Sequence, residues 1–77
     1  RVEARKTGAL VQAALLELDE PKRAAFVMHH FEGLSPNEIS EVMQVPAATT
    51  YTRLRSARLE LTEAVRRRQN PSSGAAA

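Results

Sequence analysis

The sequence predicts an all-α fold of four helices, and three observations support this prediction. Apolar residues recur at intervals of three and four, while strand-like alternation of apolar and polar residues is nearly absent. Pro21, Pro36 and Pro46 divide the chain into stretches of helical length. The chain has 77 residues and no cysteine, which is typical of a single small domain without a disulfide framework.

The first two helices are predicted over about residues 3–18 and 21–31. Pro21 suits the first turn of the second helix, where a missing N–H costs nothing, and Asp19 or Glu20 can cap that turn or complement its charge. The second helix is apolar on nearly every side, which is typical of a central position. Gly33 is placed to adopt the left-handed conformation that ends a helix. The inward face of the first helix is expected to comprise Leu10, Ala13, Ala14 and Leu18.

The third helix has the clearest start signal in the chain. Ser35 and Glu38 form a predicted capping box, in which each side chain bonds the backbone N–H of the other residue. Pro36 suits the first helical position. The helix is expected to be about eight residues long and to end at a tight connection over residues 44–46. Its buried face is expected to comprise Ile39, Val42 and Met43.

The fourth helix is predicted over about residues 47–67, with inward positions at spacings of three and four. These positions are Ala47, Thr50, Leu54, Ala57, Leu61 and Ala64. The folded domain is therefore expected to occupy residues 1–69. Residues 70–77 have nothing to pack against, and we expect them to be a disordered tail.

The net charge of +2 is unevenly distributed along the chain. Residues 1–43 carry a net −2 and residues 44–77 a net +4. A basic stripe on one helix indicates a polyanion partner, and the alternative is a solvated helix face whose arginines aid solubility. Charge alone leaves both interpretations open. The stripe comprises Arg53, Arg55, Arg58, Arg66, Arg67 and Arg68.

A capped short helix, a tight turn and a longer helix make up the helix-turn-helix arrangement, whose second helix enters the major groove of DNA. Rotation by about 100° per residue, with Leu54 inward, directs a polar face outward on the fourth helix. A plain four-helix bundle with an ordinary solvent face is the alternative on pattern alone. The outward face comprises Ala48, Thr52, Arg55, Ser56 and Leu59, flanked by Tyr51 and Arg58 on one side and Thr49 and Arg53 on the other.

Several short motifs follow one another in a fixed order between residues 18 and 61. They are Leu18 and Arg23 ahead of Phe26 and Met28, then Glu32-Gly33-Leu34-Ser35, Glu38-Ile39-Ser40-Glu41, Val45-Pro46, and Thr49 with Arg53-Leu54 and Ala57-Arg58. In this order they resemble the C-terminal domain, region four, of bacterial ECF-type sigma factors. The resemblance implies a four-helix domain with a C-terminal helix-turn-helix that binds the double-stranded promoter element near position −35. It also implies docking on the β-flap of the RNA polymerase core and, in many members, capture by an anti-sigma factor.

The same resemblance implies roles for seven side chains of the fourth helix and a cytoplasmic place of action in bacteria. The base-facing positions are Tyr51, Thr52, Arg55 and Ser56. The positions near the DNA backbone are Thr49, Arg53 and Arg58, of which Arg58 serves either packing or phosphate binding.

The chain departs from the family pattern in the turn and on the fourth helix. Gln44 stands where glycine is usual, so it must tolerate an uncommon backbone conformation. Ser40 stands where alanine is usual, and Thr50 where valine is. Tyr51 and Ser56 stand where basic residues are frequent, which leaves the promoter preference open and predicts a shallow salt dependence of binding.

Other classes of function are disfavoured by the residues present. His29 and His30 are adjacent and lack a third ligand of suitable spacing, so no metal site is expected. As catalytic groups they would need a partner such as Asp19, Glu20 or Ser35, and no nucleophile motif or deep pocket accompanies them. No apolar run approaches the roughly 20 residues that span a bilayer. We therefore expect no enzyme activity, cofactor or membrane association.

Two hypotheses of different classes remain. The first is sequence-specific DNA binding in transcription initiation, and the second is a protein-interaction module of the same fold, with an outward Leu59 as anchor. A positive face free of apolar area would favour DNA, whereas a contiguous apolar patch would favour a protein partner. A response-regulator effector domain is disfavoured, because its last helix does not normally continue into three consecutive arginines.

Overall fold

The computed structural model describes residues 2–69, with the side chains of residues 8–69. Its four helices are α1 (Val2–Leu15), α2 (Glu20–His30), α3 (Pro36–Met43) and α4 (Ala47–Gln69). The predicted all-α fold is confirmed, and each predicted helix is present. The predicted disordered tail lies outside the described residues.

Helix α1 ends three residues earlier than the sequence predicts. The N–H groups of Glu17 and Leu18 donate to the carbonyl oxygens of Ala14 and Leu15 at 3.0 and 3.1 Å, three residues back, so the chain tightens into a turn. Leu18 is nevertheless buried, as expected, because the turn points its side chain into the core beside Ala14.

Helix α2 is bounded by the two signals that the sequence contains. The Asp19 carboxylate accepts the N–H of Lys22 at 3.0 Å and caps the first turn. Beyond the other end, Gly33 has a φ of 77°, so the chain reverses and the Leu34 N–H donates to the Met28 carbonyl at 3.0 Å. Helix α2 packs against both α3 and α4, but the central position predicted for it belongs to α4, which packs against all three other helices. Phe31 is exposed, because it lies one residue beyond the helix rather than on its inward face.

The turn between α3 and α4 follows directly from local sequence. The predicted capping box is present: the Glu38 N–H donates to the Ser35 hydroxyl at 3.1 Å, and the Ser35 N–H donates to the Glu38 carboxylate at 2.8 Å. Gln44 adopts the left-handed conformation with φ 57° and ψ 52°, which costs a residue with a side chain roughly 1–2 kcal/mol. The expectation that Gln44 tolerates an uncommon conformation is therefore confirmed.

The core consists of two clusters, and α4 forms one wall of each. The α1-side cluster comprises Ala14, Leu15, Leu18, Phe26, Ala57, Leu61 and Ala64. The turn-side cluster comprises Ala25, Ile39 and Leu54, with Met28, Leu34 and Met43 packed against it. The predicted inward positions of α4 are buried from Thr50 onward, so helical spacing alone located this face correctly.

Two predicted core residues are exposed instead. Val42 lies about 110° around α3 from the middle of the buried face, because that face is centred between Ile39 and Ser40 rather than on Ile39. Ala47 lies on the same face of α4 as the buried residues, but it is in the first turn of the helix. Helix α3 begins to cover this face only at Thr50.

Candidate nucleic-acid interface

The first half of α4 presents a polar surface on the side opposite the core. Tyr51, Thr52 and Arg55 are exposed there, and the Tyr51 side chain and backbone together are 57% exposed. Ser56, predicted to face outward with them, is half-buried. Three of the four residues expected to face DNA bases are thus accessible to a large ligand, and the fourth is partly so.

The flanks of this surface carry the residues expected near the DNA backbone. Thr49 and Arg53 are half-buried on one flank, and Arg58 is exposed on the other. The Arg53 guanidinium Nη1 lies 3.8 Å from the Met43 sulfur, so Arg53 rests against the end of α3 while its charge stays at the surface. The predicted assignment of these residues to phosphates is not tested by this geometry.

A buried pair of hydroxyl groups joins α3 to the first turn of α4. The Ser40 hydroxyl donates its hydrogen to the Pro36 carbonyl at 2.9 Å and lies 2.7 Å from the Thr50 hydroxyl. Because Ser40 has only one hydroxyl hydrogen, Thr50 is the donor between the two side chains. Both residues depart from the family pattern, and the two departures meet at one contact. Sequence reasoning missed this pairing.

The end of α2 adds a residue to the surface that sequence reasoning did not assign to it. His29 lines a surface pocket of about 310 Å³ together with Tyr51, Arg55 and Arg58. The packing of α2 against α4 places His29 there. The reversal at Gly33 brings the Leu34 carbonyl oxygen back to within 2.8 Å of the His29 ring nitrogen Nδ1, and Gly33 was the one signal in the sequence for this contact.

The arginines at the other end of α4 are engaged within the domain. Glu17 accepts from Arg67 at 3.1 Å and from Arg68 at 3.0 Å, and we call these three residues the Glu17 ion-pair cluster. Arg66 pairs with Glu63 at 3.2 Å. The hydrogen bond from Arg67, aided by the one from Arg68, lowers the pKa of the Glu17 carboxyl despite partial burial.

These ion pairs divide the predicted basic stripe into two parts. Within the described residues, Arg53, Arg55 and Arg58 form no ion pair, whereas Arg66, Arg67 and Arg68 do. The positive charge free to meet a polyanion is therefore concentrated at the first half of α4. Of the six arginines in the predicted basic stripe, only the three in the first half of α4 are without a carboxylate partner among the described residues.

An apolar residue also lies on the outside of α4, farther along the helix. Leu59 is exposed, as predicted, and borders a shallow pocket of about 270 Å³ with Leu18 and Glu63. Leu16, in the turn after α1, is exposed as well. The outward surface of α4 thus changes along the helix from polar and basic to partly apolar.

The capped helix α3, the left-handed turn and the exposed, arginine-bearing helix α4 define the class of helix-turn-helix domains. A family model described as "Sigma-70, region 4" matches residues 9–61, which is more than half of the chain. The chain therefore belongs to the sigma-70 region 4 family. Domains of this family recognise the promoter element near −35, interact with RNA polymerase, and are DNA-binding transcription domains rather than enzymes.

Curated proteins gave no match to the chain. Among the described residues, no helix is long and apolar enough to cross a membrane. No cluster of three or more histidine or acidic side chains within the described part of the chain has the arrangement of a metal site.

Proposed function

We propose that this chain is the promoter-binding domain of an ECF-type sigma factor and that α4 reads the −35 element in the major groove. Tyr51, Thr52, Arg55 and Ser56 face the base edges. Thr49, Arg53 and Arg58 lie near the phosphates.

One observation supports this proposal more than any other. The exposed surface at the start of α4 is polar, and Arg55 and Arg58 on it form no ion pair within residues 8–69. A guanidinium without a carboxylate partner can bind guanine or phosphate without first breaking an ion pair. The small side chains of Ala48 and Thr52 let the helix backbone approach the base edges closely.

The domain occupies residues 1–69 in this proposal and acts in the bacterial cytoplasm, in transcription initiation. It docks on the β-flap of the RNA polymerase core, and an anti-sigma factor is a further partner. We infer no enzyme activity and no cofactor, since the described pockets are shallow and lack a nucleophile paired with a base.

Selection of bound sequences from a random duplex pool, with and without RNA polymerase, tests the function directly. A single enriched motif in both selections supports promoter recognition by this chain. Enrichment in neither selection contradicts the proposal.

The roles of the arginines are tested with single variants on the selected duplex. Arg55→Ala is expected to weaken binding to the selected duplex by about 1–3 kcal/mol and binding to a random duplex much less, because a guanine contact is lost. Arg53→Ala is expected to weaken both complexes similarly and to flatten their salt dependence, because a phosphate contact is lost. Fluorescence anisotropy titrations at several salt concentrations measure both effects.

Arg66→Ala is the matched control, since it removes an arginine of the same helix that pairs with Glu63 at the far end. We expect it to leave both affinities nearly unchanged. An Arg55→Ala variant with an unchanged ratio of the two affinities would show that Arg55 does not read bases.

A second candidate function is a protein-interaction module, which the exposed Leu59 and its neighbouring pocket favour. In that case the chain binds RNA polymerase core through Leu59 and prefers no duplex sequence, so Leu59→Ala weakens binding to the polymerase and Arg55→Ala leaves the ratio of the two duplex affinities unchanged. Surface plasmon resonance with each partner in turn measures these effects.

A further inference from the structure

The pocket at the end of α2 has the composition of a phosphate site. Arg55 and Arg58 supply two guanidinium groups, Tyr51 a hydroxyl and His29 an imidazole, around a volume of about 310 Å³. Of the described residues that line it, none carries a carboxylate. Guanidinium groups bind phosphate oxygens with charge-assisted hydrogen bonds, so an anion entering this pocket finds donors on more than one side.

The hydrogen bond of His29 determines which form of its ring can bind an anion. The Leu34 carbonyl oxygen only accepts, so Nδ1 of His29 must carry a hydrogen to bond it at 2.8 Å. The neutral ring then has Nε2 as a bare acceptor, which cannot bond to a phosphate oxygen. Only the imidazolium form has a second N–H to donate. Phosphate binding by His29 therefore requires a proton from solvent.

The groups around His29 come from three helices. Helix α4 contributes Arg55, Arg58 and Tyr51, α3 contributes the uncharged Pro36, and α2 contributes His30, whose ring lies edge-on at 4.8 Å. His30 itself stacks on Phe26 at 4.2 Å. Burial, and to a lesser extent the charges of His29 and Arg58, lowers the pKa of His30. A phosphate placed in the pocket offsets the positive charges of Arg55 and Arg58 and favours an adjacent imidazolium.

We propose that His29 is a proton-dependent phosphate ligand, which binds a DNA phosphate together with Arg55 and Arg58 as the imidazolium, so that duplex binding takes up a proton. This inference rests on the proposed DNA-binding function and adds a contact from α2 to those from α4. It makes the affinity for DNA depend on pH, with tighter binding where the imidazole is protonated.

The test measures affinity of the 77-residue chain for a fluorescently labelled random-sequence duplex from about pH 5.5 to about pH 8.5, a range that spans the reference histidine pKa. Because only the imidazolium adds a charge-assisted hydrogen bond to the phosphate, we expect binding about tenfold tighter at the acid end. Calorimetry in two buffers of different ionisation enthalpy measures the proton uptake. Circular dichroism at each pH verifies that helix content is constant.

Three variants assign the effect. His29→Asn keeps an N–H for the Leu34 carbonyl but lacks the outer nitrogen, so it is expected to lose most of the pH dependence. His29→Arg carries a permanent charge and is expected to bind as tightly at the alkaline end as at the acid end. His30→Asn is the matched control: it removes a neighbouring histidine that is not a lining residue of the pocket, and it should keep the pH dependence.

Three results would overturn the inference. In the first, His29→Asn binds with the same pH dependence as the original chain. In the second, His30→Asn loses the pH dependence while His29→Asn keeps it. In the third, the original chain binds the duplex without taking up a proton. Absence of duplex binding at every pH would overturn the DNA-binding function as well, so the two failures are distinguishable.

Discussion

The two ends of α4 are held in place by different kinds of interaction. Near Thr50 the turn-side cluster has only three buried apolar side chains, and directional hydrogen bonds of the capping box and of Ser40 supplement it. At the other end the α1-side cluster has seven, and the exposed Glu17 ion-pair cluster lies at its edge. Apolar packing stabilises without fixing an angle, whereas hydrogen bonds are directional. The end proposed to meet DNA is therefore the end at which buried hydrogen bonds supplement the smaller apolar cluster.

The largest expected effect comes from removing a side chain of the smaller cluster. Leu54→Ala leaves a cavity between α2, α3 and α4 and should reduce the free energy of unfolding by about 2–5 kcal/mol. The exposed Leu59 of the same helix is the matched control, and Leu59→Ala should change stability by less than about 0.5 kcal/mol. Urea unfolding followed by circular dichroism measures both, and an undiminished stability of Leu54→Ala would contradict the buried position.

The next effect concerns the hydroxyl pair. Ser40→Ala deprives the fully buried Thr50 hydroxyl of its acceptor and should cost about 1–3 kcal/mol. The double variant Ser40→Ala/Thr50→Val should recover most of that loss, because two apolar groups are then in contact and no buried hydroxyl lacks a hydrogen-bond partner. The double-mutant cycle should give a coupling of about 0.5–3 kcal/mol.

The control for this cycle is Thr62→Val at the other end of α4, where the hydroxyl donates to the Arg58 carbonyl in an exposed position. Its effect should stay within about 0.5 kcal/mol. Additive effects of Ser40→Ala and Thr50→Val would mean that the two hydroxyls do not stabilise each other.

The smallest effect is expected at the Glu17 ion-pair cluster. Its arginines hold the pKa of the Glu17 carboxyl below its ordinary value of 4.5, so the stabilisation is complete above that value and is lost as pH falls through the folded-state pKa. Glu17→Gln should lower the melting temperature slightly at neutral pH and low salt, and the difference should disappear in acid and in high salt.

Glu32→Gln is the control for this prediction, because Glu32 is exposed and forms no ion pair within the described residues. Thermal unfolding of both variants against pH provides the comparison. A melting-temperature difference for Glu17→Gln that persists in acid would exclude an electrostatic origin.

Features determined by neighbouring residues could be predicted from the sequence. The capping box of Ser35 and Glu38 depends on two nearby positions and was predicted correctly from them, whereas the uncommon conformation of Gln44 was expected from the resemblance, in which glycine is usual at that position. Helical periodicity located the buried face of α4, because that face is continuous over several turns. The assignment of α4 side chains to bases and phosphates stays a prediction.

Features determined by how the helices cross could not be predicted in this way. Val42 was placed in the core because an eight-residue helix has too few turns to define its buried face. The Ser40–Thr50 pair joins positions ten residues apart, and Glu17 meets Arg67 fifty residues later. The position of His29 beside Arg55 and Arg58 depends on how α2 packs against α4, which a sequence pattern does not specify.

The sharing of α4 between both clusters has a consequence for biosynthesis. Helices α1, α2 and α3 leave the ribosome first, yet each of them packs against α4, which comes last of the four. Neither cluster can close until Leu54 and Leu61 have emerged, so the nascent chain carries incompletely covered apolar surface until synthesis passes the end of α4. Folding of this sigma-70 region 4 domain during translation is thus expected to be late and all-or-none.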